Sequence, residues 1–535
     1  RRIIMTMPTA MPLAERQILQ QQADAARDLA FLSLGLAETD YDDDGRPVMT
    51  LRGDARLPEV ILKWDEASAT QAVYLYGQVA LQYSGDARAF FDVMRLPLNR
   101  QDPAAGSGLR IATLDIGGGT TDLVVTSYRA EGQGANVTLF PRQDFREGFN
   151  LAGDGAVFAV IRELVLPPIR RRLEACGLAG RAEHLLNRLL GGDRGDMHVV
   201  EQVRRQQFAA QIATPIAVAL LNRYESYDPA APFEPEVRGF AGFFDGDHNA
   251  NAAVIGFFNT EAERAGATGF NLAQVEFPVD GAEIDRVVRA VFREMLQSLA
   301  EVIWRTRADL LLLSGRPSRL PAIRAVMAET GCLPPHRIIC LHQFRVGQWY
   351  PFRGLDATIA DPKTTASVGA MICLLGEGQL QNFNFRSDEL KPGSTAQFFG
   401  KLDRNNRLLD ADVYYAGMRL DDPDYTLPDT PFEFRGPMAL GFRQFPVDWW
   451  PATRQYSLDY ASPESAKALN ARTPLHVGLK RTERDVKKQV VDSFEPDTIT
   501  DADGRTVPKN QLRLRLQTID RQQGYWLDTG ILLDK

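Results

Sequence analysis

The chain has 535 residues, 44% hydrophobic and 24% charged, a globular balance in a length that exceeds a single core. Its net charge of −8 argues against a global basic field, so no nucleic-acid partner is expected. The four cysteines, Cys176, Cys332, Cys340 and Cys373, form no CxxC pair, which argues against a zinc site or disulfide scaffold and predicts a reducing, cytoplasmic setting.

Ile3-Ile4-Met5-Thr6-Met7 predicts a strand, ended by Pro8-Thr9-Ala10-Met11-Pro12 and followed by a helix over Leu13 to Leu29. The chain opens inside that strand pattern with no secretory signal, so it reads as a piece of a longer protein. Tyr41-Asp42-Asp43-Asp44-Gly45 reads as a solvated turn. The stretch from Leu57 to Ala69 is a strand-to-helix step through Asp65-Glu66, with the helix continuing past Gln71, Tyr74, Tyr76 and Gly77. Gln101 to Gly108 is a loop.

Two apolar runs, Leu109 to Leu114 and Leu123-Val124-Val125, then flank Asp115-Ile116-Gly117-Gly118-Gly119-Thr120-Thr121-Asp122. This is strand, glycine turn, strand. Consecutive glycines let the backbone approach a ligand, and successive N–H groups in such a turn form a concave anion site. Thr120 adds a hydroxyl. Asp115 and Asp122 would repel a phosphate unless a cation stood between, so the stretch predicts a hairpin holding a phosphate chain with Mg²⁺. A P-loop is excluded because no Lys follows, and a Rossmann turn because Asp122 holds the place of the third Gly and a strand follows. A hairpin without ligand is the plainer alternative, but it needs neither three glycines nor an Asp at each end.

Val137 to Phe140 predicts a returning strand, and Gly148 to Gly155 opens a helix through Phe158, Ile161 and Leu164. From Ile169 to Ser298 the chain is mostly helical, with Arg170-Arg171-Arg172 on a solvated face. Asp245 to Asn251 imitates an EF-hand start, but Ala250 and Gly256 stand where Gly and Glu are required, so it reads as an exposed turn. Asp309 to Leu313 is a buried strand, leading through Ser314-Gly315-Arg316-Pro317-Ser318-Arg319-Leu320-Pro321 into a helix over Ala322 to Glu329. Gly315 permits close backbone approach there, and Arg319 offers a flat guanidinium to a base. Asp361 to Ala370 is rich in small residues suited to close helix packing.

After Gly376 the pattern alternates at Val413-Tyr414-Tyr415, Tyr456 to Tyr460, His476 to Lys480 and Leu512 to Leu516, with turns at Arg404 to Arg407 and Asp501 to Gly504. This predicts a separate β-rich domain. Trp449-Trp450-Pro451 reads as core aromatics before it reads as a binding platform. The longest apolar stretches, such as Ala308 to Leu313, are too short to span a bilayer.

The run Asp115 to Asp122 resembles the second phosphate motif of the actin, heat-shock chaperone and sugar kinase superfamily. Further likenesses follow in order: Glu66 after a strand, the Gly153-Asp154 helix start, Gly315 with Arg316 and Arg319, and the Asp361 to Ala370 hinge segment. The resemblance implies an α/β fold of actin-like, ribonuclease H-like lobes and a β-rich C-terminal domain. Residues 1–108 would complete the first lobe; 109–376 would form the second, with a helical insert at about 169–298 and a final helix returning to the first; 377–535 would be the β domain. ATP and Mg²⁺ are the implied cofactors. Gly117, Gly118, Gly119 and Thr120 would hold phosphates, Asp115 and Asp122 would face the metal, and Gly153, Asp154, Gly315, Arg316 and Arg319 would line the nucleotide. Glu66 would orient the attacking water, with Asp65 and Gln71 as neighbouring alternatives. Three departures stand out: Ala152 and Ser314 replace glycines, the turn after Ser314 has an extra residue, and the adenine-contacting Glu, Lys and Arg have no match between Arg204 and Leu221.

Within that superfamily, the wording of residues 6–12, 63–68, 314–321 and 449–454 resembles the SrfB-type bacterial virulence factor family, C-terminal part. The superfamily's first phosphate hairpin would then precede Arg1. The implied function is an ATP-dependent switch that acts on a protein partner through the β domain. An inactive scaffold and a small-molecule kinase are the alternatives, the latter lacking a recognisable sugar-binding acid near Glu66.

Overall fold

The computed structural model describes residues 1–9, 11, 13–101, 108–132, 137–149, 151–193, 197–244, 250–390, 394–420, 422, 424–448, 450, 452–483, 490–516 and 525–533. Most of the 101–108 loop, most of the EF-hand-like turn, Trp449 and Pro451 lie outside the described residues.

The chain begins with strand β1 (Arg2–Met7), helix α1 (Leu13–Ser33) and a hairpin of β2 (Ala37–Tyr41) with β3 (Pro47–Leu51). β1 pairs in parallel with β4 (Glu59–Asp65), and α2 (Glu66–Leu75) leaves β4 directly. Helices α3 (Ala87–Met94) and α4 (Pro97–Arg100) follow. Strands β5 (Leu109–Ile116), β6 (Thr121–Glu131) and β7 (Thr138–Phe149) form an antiparallel meander. β7 runs well beyond the predicted Phe140. Its second half, with Arg142, Asp144, Arg146 and Glu147, is too charged to read as a strand, yet it pairs with β6 around a bulge.

A helical region comes next: α5 (Gly153–Val160), α6 (Leu166–Leu173), α7 (Ala182–Leu190), α8 (Val199–Phe208), α9 (Thr214–Tyr224), α10 (Ala252–Ala265) and α11 (Gly281–Arg305), with a small pair of β8 (Glu236–Gly239) and β9 (Glu276–Val279). Strand β10 (Leu310–Ser314), α12 (Pro321–Glu329), β11 (Ile338–Cys340), α13 (Thr364–Leu375) and β12 (Asn384–Phe385) complete the unit. Its sheet has the order β11-β10-β5-β6-β7-β12, with β10 parallel to both β5 and β11.

Both faces of this sheet are buried, which is why β5 and β10 read as nearly continuous apolar runs. Ala112, Leu114, Leu311 and Leu313 enter one core with Val160, Ile216 and Leu296 of the helical region. Leu109, Ile111, Leu310 and Leu312 enter a second core with Val73, Tyr74 and Ile372 of α2 and α13. Strand alternation puts Asp115 and Ser314 on this second face, at the C-terminal ends of their strands.

The β-rich part contains β13 (Phe398–Lys401), β14 (Val413–Ala416), β15 (Phe432–Phe434), β16 (Met438–Arg443), β17 (Thr453–Tyr460), α14 (Pro463–Leu469), β18 (Leu475–Glu483), β19 (Val490–Thr500) and β20 (Leu512–Leu516). Its sheets, ordered β14-β13-β16-β17-β20 and β15-β18-β19, share a core of Phe399, Phe442, Tyr456, Leu458, Val477 and Ile499. Trp450 does not join it. Its indole is buried in the core of the helical region, edge-on to Phe149 and Phe445. The last element, α15 (Trp526–Thr529), also lies on that region, where Leu532 is buried. No helix among the described residues is long and apolar enough to cross a membrane.

Candidate functional site

The glycine turn joins β5 to β6, and its neighbours come from three distant parts of the chain. Gly117 N–H closes the turn on the Thr120 carbonyl at 2.8 Å, leaving Gly118, Gly119 and Thr120 exposed at the tip. Helix α5 starts against that tip: Gly153 N–H donates to Gly117 O at 3.0 Å, and Asp154 N–H to Gly118 O at 2.8 Å. A Cβ at residue 153 would stand 2.8 Å from the Pro317 ring, so the third turn packs there too. Gly315 has φ +78°, and a Cβ on it would stand 1.9 Å from Ile116 O and 2.7 Å from Asp115 Oδ1. Only glycine satisfies both the dihedral and the approach. Residues 115–122, 153–154 and 315–317 therefore meet at one end of the sheet.

Asp115 is buried beneath this turn. Burial first, and then the negative charges of Glu66 and Asp65, push its carboxyl up to about 7, while a hydrogen bond with Ser314 opposes the shift. Ser314 continues into a chain of buried hydroxyls, through Thr365 at 3.1 Å to Thr70 at 3.0 Å. Glu66 is also raised, by burial and then by Asp65, with Lys363 pulling it down. Asp122 is buried and lies directly opposite Asp115 in the β5–β6 ladder, with the Thr120 hydroxyl donating to it at 3.4 Å.

The neighbouring carboxylates at 65 and 66 have different duties. Asp65 caps α2, accepting from Ser68 N at 2.8 Å and from Ser68 Oγ at 2.9 Å, and it also accepts from Thr9 at 3.1 Å and Gln143 at 2.9 Å. Gln71 is committed to the sheet, bonded to Ile111 O at 3.2 Å and to the Tyr128 hydroxyl. Glu66, the first residue of α2, has no such capping or sheet-bonding role among the described residues.

The two arginines after Gly315 each have polar partners of their own. Arg319 Nε pairs with Glu225 at 2.6 Å and its Nη1 donates to Ala360 O at 2.9 Å; Arg316 pairs with Glu225 at 2.8 Å and with Asn222 at 3.2 Å. Sequence reasoning missed Glu225 and Asn222, at the end of α9, because nothing local marks them as partners of residues 316 and 319. It also missed Thr365, Lys363 and Tyr525. The Tyr525 hydroxyl donates to Asp154, whose carboxylate oxygens would lie 3.5 and 3.7 Å from a Cβ on Gly118.

Among the described residues, no three His, Cys, Asp or Glu side chains form a group that could hold a metal ion by themselves. A cation here would keep water or phosphate oxygens in its shell, as Mg²⁺ does at phosphate sites. Asp115 feels the negative charges of Glu66 and Asp65 at a buried position, and Lys363 is the cation acting on Glu66.

These features describe a mixed α/β protein with glycine turns and buried carboxylates gathered at one end of its main sheet. The family model described as virulence factor SrfB matches residues 1–533, and the chain belongs to that family. No curated protein matches it.

Proposed function

We propose that this SrfB-family chain is an actin-like, ATP-binding switch that acts on a protein partner through its β-rich part. The observation that carries the reading is the meeting of three separately encoded turns, at 117–120, 153–154 and 315–317, over Asp115 and near Glu66. Bound MgATP would supply a transferable phosphoryl group, and its Mg²⁺ the positive charge that offsets the carboxylates. Gly118, Gly119 and Thr120 would face the phosphates with backbone N–H groups. Asp115 and Asp122 would hold the cation's water shell. Glu66, its proton affinity raised by burial and then by Asp65, would orient the attacking water and accept its proton. Residues 1–108 and 109–376 would be the two lobes, meeting where α2 packs on α13 and on the β5 and β10 face of the main sheet.

The route to the partner would run through Glu147 on β7. It accepts from Gln444 at 2.5 Å and from Thr453, both in the β-rich part, and β7 pairs with the strand that carries Asp122. One observation favours a scaffold that does not turn over nucleotide: Glu225 engages both Arg316 and Arg319. Calorimetric titration of the natural full-length protein with MgATP, followed by single-turnover hydrolysis, tests the reading. Binding with turnover supports the switch; binding without turnover, or no binding, removes the switch and leaves the inactive scaffold or protein-interaction module.

A further inference from the structure

The C-terminal segment Tyr525–Leu533 lies on the helical region by several independent attachments. Trp526 packs on Phe158 of α5 with ring centroids 5.3 Å apart. The buried Arg205 donates to Thr529 O at 2.9 Å. Leu532 N–H and Leu533 N–H both donate to Leu190 O, at 2.8 and 3.2 Å, and the Leu532 side chain is buried. From this anchorage Tyr525 reaches back to the N-terminus of α5 and donates its hydroxyl to Asp154.

The consequence lies in what Asp154 does. Its carboxylate lies beside the exposed Gly118 tip, 3.5 and 3.7 Å from a Cβ built there, so an anion brought to that tip would meet its negative charge. Two like charges cannot share that place, and a donor that holds the carboxylate there keeps it there. Burial and then the Asp154 charge hold the Tyr525 phenol well above its usual range, so it remains the donor.

We propose that the C-terminal segment is a latch on the glycine turn: Tyr525 is a positioning residue that keeps Asp154 over Gly118, and a polyphosphate seats only when this contact opens. The proposal rests on the phosphate-binding reading of the turn. The latched state reduces apparent affinity by the fraction of molecules in which it is closed. It also predicts linkage in the other direction, since a ligand that requires the open state loosens the segment.

The test uses the natural full-length protein, MgATP as the probe, and Tyr525→Phe and Trp526→Ala variants. The first removes only the hydroxyl; the second weakens the anchorage without touching the turn. Both variants should bind MgATP tighter than wild type, by roughly 10-fold or more for Tyr525→Phe, the scale of losing one hydrogen bond to a charged acceptor in a latch that is mostly closed. In wild type, MgATP should speed amide exchange at Leu532 and Leu533. Binding by the variants alone also supports the latch. Equal affinities, or exchange that MgATP leaves unchanged, overturn the latch while leaving the site intact. No binding by any of the three proteins overturns the site and the latch together.

Discussion

Gly369 of α13 lies against the backbone of Ala69 of α2, so near that a Cβ at 369 would stand 1.8 Å from the Ala69 carbonyl oxygen. The atom it would meet is main chain, which cannot swing aside. The two helices pack at a distance that only a missing side chain allows, and both bear residues of the candidate site, Glu66 and Thr70 on one and Thr365 on the other.

Gly369→Ala should therefore cost ~1–3 kcal/mol or more through overpacking. Gly256→Ala is the matched control. Gly256 sits inside α10 with nothing within 4 Å of its would-be Cβ, so the change should stabilise by ~0.5–1 kcal/mol through helix propensity. Denaturant unfolding of both variants reads the contrast. Equal and small effects would show that α2 and α13 stand further apart.

Asp115→Asn keeps the shape of the side chain and removes the buried charge. Because burial and two like charges oppose its ionisation, the variant should unfold at higher denaturant than wild type at pH 8. It should bind MgATP more weakly, by tenfold or more, since a cation loses its nearest buried carboxylate. Opposite signs for stability and binding distinguish a site residue from a packing residue; a loss in both would mark Asp115 as structural.

Glu66→Gln should leave MgATP affinity within about twofold and slow single-turnover hydrolysis by ~10²–10⁴, the usual cost of losing a positioned acid or base. Asp65→Asn keeps an N-cap acceptor for α2 but sets an amide N–H₂ against the Ser68 Oγ and Gln143 donors, and should instead lower stability by ~1 kcal/mol. Should Asp65→Asn be the variant that abolishes turnover with its fold intact, the roles of the two acids are exchanged.

Glu147 gives a pH dependence with a definite sign. Burial pushes its carboxyl up to about 7, against the opposing pull of Thr453, Gln444, the Gly148 backbone and Arg146. An unfolded Glu titrates near 4.3, so between about pH 4 and 7 the folded state holds the extra proton and stability falls as pH rises. Glu147→Gln should flatten the slope of stability between pH 5 and 8, by up to about 3 kcal/mol across that range. An unchanged slope would mean that Glu147 is ionised throughout.

The glycine hairpin was legible because its signals are local: apolar runs, a turn only glycine makes easily, and a Val-rich return. The buried strand before Gly315 was legible for the same reason. The division of labour between Asp65 and Glu66 was not, because it depends on a helix boundary to within one residue. The pairing of Arg316 and Arg319 with Glu225 was not either, since the partners lie 94 residues apart from Arg319. The second half of β7 escaped because its charged residues serve other segments: Arg146 donates to Thr9 O, and Glu147 receives Gln444 and Thr453. A strand whose polar side chains meet buried partners has no alternating signature to read.

The parallel pairing of β10 with β5 also governs how the protein comes off the ribosome. Arg110 N–H reaches Asp309 Oδ2 across 199 residues, so β5, paired early with β6, waits for its second neighbour until most of the helical region has emerged. Until then one long edge of an apolar hairpin stands open, and the glycine turn lacks both Gly315 and Ser314 beneath it. Such late, long-range closure makes for slow folding and exposes a nascent chain to aggregation. A ribosome stalled before residue 310 would thus hold a hairpin in search of an edge, a natural client for a holding chaperone. Pairing of β10 with β5 and assembly of the turn are one event, and it falls late in synthesis.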